Sequence, residues 1–127
     1  MPIKKIMVVD DSPTERAYLD NLLKKKGFEV TLVESGEAAI ERAKADRPDL
    51  IFVDIMMPRL DGYQTCALIK KSGKHHTTPV VMLSSKDSLF DRARGRMVGS
   101  DEYLTKPFTK ESLLRAVETH LAHRSPA

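Results

Sequence analysis

Leu50-Ile-Phe-Val-Asp54, running on through Ile55-Met-Met-Pro-Arg-Leu-Asp-Gly62, is the stretch on which the fold turns. Four consecutive apolar residues leave no polar face, which is the pattern of a strand covered on both sides in a parallel sheet. The run stops at an aspartate and opens into a turn carrying Pro58 and Asp61-Gly62. Two runs of the same kind lie elsewhere: Lys5–Val9, which ends at Asp10-Asp11, and 80–83, which ends at Ser84. Weaker strand patterns cover 28–33 and Glu102–Thr105, the second closing into Lys106-Pro107.

Helix patterns fill the intervals. Ser12-Pro-Thr-Glu15 reads as a capping box, with Ser12 as cap, Pro13 at the first helical position and Glu15 reaching back. Its apolar stripe is Tyr18, Leu19, Leu22 and Leu23, and Gly27 stops it. A second helix covers 37–45 with Ala39, Ile40 and Ala43 inward, ended before Pro48. A third covers Gly62–Lys71 with Cys66 and Ile69 inward, ended by Gly73. The fourth, 88–98, is weakened by Gly95, which costs about 1 kcal/mol relative to alanine. The last starts at Thr109 and carries Leu113, Leu114, Val117 and Leu121 to near His123. Strand and helix alternating throughout predict a single α/β domain, a doubly wound parallel sheet between two helical layers. The folded core is expected over 3–122, with 123–127 a frayed tail.

At 127 residues the chain suits one domain, and its 41% hydrophobic and 31% charged content is ordinary for a globular protein. The apolar runs fall far short of a membrane span, so no membrane insertion is expected. Net charge is 21 − 18 = +3, but the basic residues are scattered and no run exceeds Lys24-Lys25-Lys26. DNA binding is therefore not expected. Met1-Pro-Ile-Lys-Lys5 carries no leader-like apolar stretch, and the single cysteine fits a reducing compartment, so the expected location is the cytoplasm.

In sheets of this type ligands bind outside the carboxyl ends of the strands. Asp10, Asp11, Asp54, Ser84 and Lys106 all fall at such ends. Three carboxylates and one ammonium sum to −2, a costly excess when partly desolvated. Mg²⁺, which prefers hard oxygen ligands, would bring the sum to zero. If Asp54 attacks phosphorus, an acyl phosphate of about −2 replaces a carboxylate of −1. Lys106 and a hydroxyl from Ser84 would then face the phosphoryl oxygens. Other features have plainer readings. Asp61 is a turn or cap residue, Ser85 a spacer, Cys66 core, and His75-His76 a solvated loop. The first turn, Asp10-Asp-Ser-Pro13, lacks the glycines that let a backbone approach a pyrophosphate, which argues against nucleotide binding.

The acidic pair Asp10-Asp11, Asp54, Ser84, Lys106, the turn 56–62 and the tail Tyr103-Leu-Thr-Lys-Pro-Phe108 resemble the receiver domain of bacterial two-component response regulators, from end to end of the chain. The resemblance implies the CheY-like form of the flavodoxin-like fold, with strand order 2-1-3-4-5, and a cis Lys106–Pro107 bond. It makes Asp54 the phosphoacceptor, served by a CheA-like histidine kinase. It makes Asp11 and Asp54 direct ligands of Mg²⁺ or Mn²⁺, with Asp10 acting through water and Met56 through its backbone carbonyl. Ser84 and Lys106 steady the phosphoryl group, Ser84 and Tyr103 form the switch, and Arg92, Arg96 and Tyr103 mark the output face. Serine at position 84, where threonine is commoner, keeps the donor but loses a methyl that restricts its rotamer. More narrowly, 55–71, 82–87 and 99–108 resemble stand-alone regulators of type IV pilus twitching motility of the PilG type, while 11–15 is closer to the PilH type. The implied output is a protein of the pilus machinery. The alternative is a phosphate sink for a kinase shared with another receiver.

Overall fold

Five strands alternate with five helices: β1 (Lys5–Val9), α1 (Pro13–Lys25), β2 (Glu29–Val33), α2 (Gly36–Asp46), β3 (Leu50–Asp54), α3 (Gly62–Lys71), β4 (Val80–Ser84), α4 (Leu89–Met97), β5 (Glu102–Thr105) and α5 (Lys110–Ala122). The structure is a computed structural model that describes residues 4–72, 77–85 and 89–122. All strand pairs are parallel, and the sheet order is β2-β1-β3-β4-β5. The predicted fold class and strand order are those observed, and the Lys106–Pro107 bond is cis. Expectations for Gly73, His75-His76, Ser88, His123 and the 123–127 tail fall outside the described residues.

Period-two alternation divides the core into two layers. Met7, Val9, Ile51, Val53, Val80, Met82 and Tyr103 pack on one face with residues of α2 and α3. Ile6, Val8, Leu50, Phe52, Val81 and Leu83 pack on the other with α1 and α5. The three central strands bury nearly every side chain, and this is why they read as unbroken apolar runs.

Two strands reach one residue further than the apolar pattern, and those residues are functional candidates. Asp54 is paired with Leu83, and Ser84 with Thr105. Beyond the strand ends the ladder continues through Asp10 N–H to Val33 O (3.0 Å), Ile55 N–H to Leu83 O (3.0 Å) and Lys106 N–H to Ser84 O (2.6 Å). The candidate residues are therefore fastened by sheet hydrogen bonds rather than carried on loose loops.

Local chemistry sets the helix ends. Asp61 caps α3 with a complete capping box through Gln64. Ser12 caps α1, accepting from Glu15 N–H at 3.3 Å. The second half of that box is not made by Glu15. The Ser12 N–H donates instead to Asp10 Oδ1 at 2.8 Å, which releases the Glu15 carboxylate to point elsewhere. Tyr18 also departs from expectation: it is 50% exposed, because Leu19, Leu22 and Leu23 already fill the arc facing the sheet.

Candidate functional site

Alternation carries Asp10 and Asp54 onward from the α1/α5 face. Ile6 and Val8 lead to Asp10, and Leu50 and Phe52 lead to Asp54. Both carboxyl groups are consequently buried, Asp10 completely and Asp54 nearly so. Asp54 Oδ1 accepts from Met56 N–H at 3.4 Å and lies 3.4 Å from Lys106 Nζ. Gly62 lets the first turn of α3 settle against this strand end, since a Cβ there would fall 2.6 Å from both Asp54 O and Ile55 Cα.

The third acid is Glu15, from the first turn of α1. Its Oε2 lies 2.6 Å from Lys106 Nζ. Among the described residues, Asp10, Glu15 and Asp54 form an acidic cluster, each offering a carboxylate oxygen within 4.8 Å of the others. Asp10 Oδ1 is taken by Ser12 N–H, but Asp10 Oδ2 is buried without a hydrogen-bond partner.

Charge excess explains the protonation behaviour. Burial, and then the neighbouring Glu15 carboxyl, push Asp10 up from 3.8 to about 8. The same contact with Asp10 holds Glu15 below its ordinary value, with Lys106 adding to the effect. The opposite shifts of the two facing carboxyls mean that Asp10 keeps its proton while Glu15 is ionised. Burial raises Asp54 as well, against the lowering effect of Lys106. For Lys106 burial acts downward, but Glu15 and Asp54 outweigh it and the ammonium is held above its usual value. The site thus carries too many negative charges and one orphaned buried oxygen. A hard divalent cation among oxygen donors fits that arrangement.

The residues singled out from sequence are distributed unevenly. Asp54, Asp10 and Lys106 come together. Asp11, expected as the direct metal ligand, is exposed and is not one of the three clustered acids. The reason is geometric: Asp10 continues the inward alternation and folds back onto Ser12 N–H, so its neighbour turns outward. Met56 is placed by its N–H toward Asp54, with its side chain exposed. Ser84 is fully buried and, by alternation, follows Val80 and Met82 onto the face that carries Tyr103.

Tyr103 is packed in the core with 8% exposure and lines a surface pocket together with Arg92 and Arg96. Arg92 stands over it at 5.2 Å from the ring centroid and donates to Thr105 Oγ1 at 3.1 Å, while Arg96 is exposed. Arg92 is therefore a strap from α4 to β5 as well as a surface charge. Glu15 is the residue that sequence reading missed. Its spacing from Ser12 matched a capping box, but its position one turn after an acidic strand end was also a signal.

Relatives carry the same architecture. The family model for the response regulator receiver domain matches residues 6–118. PilG of Pseudomonas aeruginosa is 57% identical over 122 residues, covering 96% of this chain and 90% of that protein. PilH of the same organism is 36% identical over 118 residues, covering 93% of this chain and 98% of its own length. Among solved structures, the receiver domain of sensor histidine kinase PA1611 from Pseudomonas aeruginosa PAO1, with a magnesium ion coordinated in its active site cleft, superposes with a TM-score of 0.88 at 29% identity, covering 95% of this chain and 99% of that one. With the sheet order, the paired acids and the lysine already in place, the chain belongs to the response regulator receiver domain family.

Proposed function

We propose that this chain is a stand-alone response regulator that accepts a phosphoryl group on Asp54 and changes its protein contacts as a result. The observation that supports this most is the meeting of Asp54, Asp10 and Lys106 at the carboxyl edge of the sheet. An Asp54 carboxylate oxygen attacks the phosphorus of a phosphohistidine on a CheA-like kinase. The O–P bond forms as the P–N bond breaks, and the electron pair leaves with the imidazole nitrogen. Lys106 is within reach of the developing charge, and the Ser84 hydroxyl lies at the end of the neighbouring strand. Mg²⁺ or Mn²⁺, when bound, supplies positive charge that offsets the phosphoryl oxygens. Asp10 and Asp54 are the residues here that would hold it, joined in the family pattern by Asp11 and the Met56 carbonyl.

The readout runs through Ser84 and Tyr103 to the α4–β5 side, where Arg92 and Arg96 offer a basic surface to an acidic or mixed-charge partner. The 57% identity to PilG over nearly the whole length of both proteins supports a partner in the type IV pilus machinery and control of twitching motility. Identity to PilH is lower although 11–15 resembles that type, so the PilG role is the one proposed. Action in the cytoplasm is in keeping with this role, and no helix of the described residues is long and apolar enough to cross a membrane.

Phosphorylation with acetyl phosphate and Mg²⁺, borohydride trapping and peptide mapping test the assignment. The expected result is label on the peptide containing Asp54, dependent on the metal and lost in Asp54→Ala. Label persisting in that variant at the unsubstituted level sinks the assignment.

A further inference from the structure

The shortest ionic contact at the site is one that phosphoryl transfer does not require. Lys106 Nζ lies 2.6 Å from Glu15 Oε2 but 3.4 Å from Asp54 Oδ1. The lysine is the more enclosed partner of the Glu15 pair, with side-chain exposures of 20% and 37%, so this is no freely solvated surface contact. Glu15 is fixed at its base by the first turn of α1, where its N–H is held by Ser12 Oγ.

We propose that Glu15 is a positioning residue that competes with the Asp54 phosphoryl group for Lys106. The inference rests on the reading of Asp54 as the acceptor. Phosphoryl oxygens must stand beyond Asp54, so Lys106 has to loosen its closest contact to meet them. A phosphoryl group of about −2 also enters beside the Glu15 carboxylate that Lys106 holds, which carries −1. Both effects oppose the phosphorylated state. The same charge acts in the other direction on a cation, which gains from a third carboxylate and from a lysine drawn away from Asp54. Glu15 therefore favours the metal-loaded, unphosphorylated protein at the expense of the phosphorylated one.

The opposite signs make the test. Mg²⁺ affinity is measured by calorimetry on the full chain, followed by affinity for beryllofluoride, a phosphoryl mimic, at saturating Mg²⁺. In Glu15→Gln, Mg²⁺ binding should weaken about threefold to tenfold while beryllofluoride binding tightens about tenfold, the size of one charge-assisted contact. Glu15→Asp keeps the charge but loses the reach, so its Mg²⁺ affinity should stay near that of the unsubstituted protein with beryllofluoride binding in between. A purely structural role for Glu15 would move both affinities in one direction or neither. Unchanged or weaker beryllofluoride binding in Glu15→Gln, with the unsubstituted protein binding normally, overturns the competition alone. No beryllofluoride binding by the unsubstituted protein overturns the acceptor assignment and the competition with it.

Discussion

On the α1/α5 side of the sheet, Ile6, Val8, Leu50, Phe52, Val81 and Leu83 meet Leu19, Leu22, Leu23, Leu113 and Val117 in a cluster of aliphatic side chains and one phenyl ring. The α2/α3/α4 side also buries aliphatic residues, but Tyr63, Tyr103 and Cys66 sit among them. Directional contacts run through that second side. Arg94 lies 4.3 Å from the Tyr63 ring centroid, the Tyr63 hydroxyl donates to Asp91 O at 3.2 Å, and Arg92 reaches across to β5. The aliphatic layer resists displacement because every side chain loses transfer and packing energy together when it moves. On the second side, aliphatic packing is supplemented by polar and ring contacts of about 1 kcal/mol each, which can be exchanged singly. The acids are mounted on the rigid side, and the elements proposed to respond lie on the adjustable one.

Phe52→Ala should break the rigid side most severely. The ring is fully buried in β3, two residues before Asp54, and its loss should cost about 3–5 kcal/mol in urea unfolding. A loss under about 2 kcal/mol would mean that the layer collapses around the gap and is no rigid frame.

Asp10→Asn sharpens the comparison through pH. Asp10 is raised from 3.8 to about 8, so above pH 4 the folded protein holds a proton that the unfolded chain releases. The stability of the metal-free protein should therefore fall as pH rises from about 4 to 8. Removing the acid removes the Asp10 share of that slope and leaves the share of Asp54, which burial also raises. In EDTA at pH 8 the variant should be more stable by about 1–3 kcal/mol, while at pH 4 the two proteins converge. Adding Mg²⁺ should restore only the protein that keeps Asp10. A variant less stable at pH 8 than the unsubstituted protein would show that Asp10 is structurally favourable and not a strained acid.

The smallest effect belongs to the adjustable side. Tyr63→Phe deletes the hydroxyl that ties α3 to the Asp91 carbonyl and should cost about 0.5–1.5 kcal/mol. Amide exchange in α4 should quicken while α1 keeps its protection. Equal acceleration in both helices would erase the distinction between the two sides.

Element order and core membership were legible because both are short-range. Unbroken apolar runs marked the central strands, and Leu19, Leu22, Leu23, Cys66, Ile69, Leu113 and Val117 declared their burial by helical spacing. Asp54, Asp10 and Lys106 were legible for a related reason: Asp54 ends its strand and the other two directly follow theirs, and parallel strands put their carboxyl ends at one edge. Tyr18 misled because a tyrosine next to a leucine stripe looks the same in sequence whether it faces the sheet or stands beside it. Glu15 was hidden for a subtler reason. Its place depends on which carboxylate satisfies the Ser12 N–H, and either Asp10 or Glu15 could do so. Asp10 takes it, and Glu15 is left to swing toward a lysine 91 residues further along the chain.

By itself, then, the amino-acid order determined the alternation of strands and helices, the two-sided burial of the sheet and the edge at which the charges gather. Each of those depends on periodicity and on chain direction, which sequence carries in full. Tertiary structure alone decided how the charges are shared. Which carboxylate is orphaned, which holds Lys106 and how deeply Tyr103 is packed all depend on ångström distances between segments far apart in the chain. A Coulomb or hydrogen-bond energy changes sharply over such distances, whereas residue spacing does not register them at all.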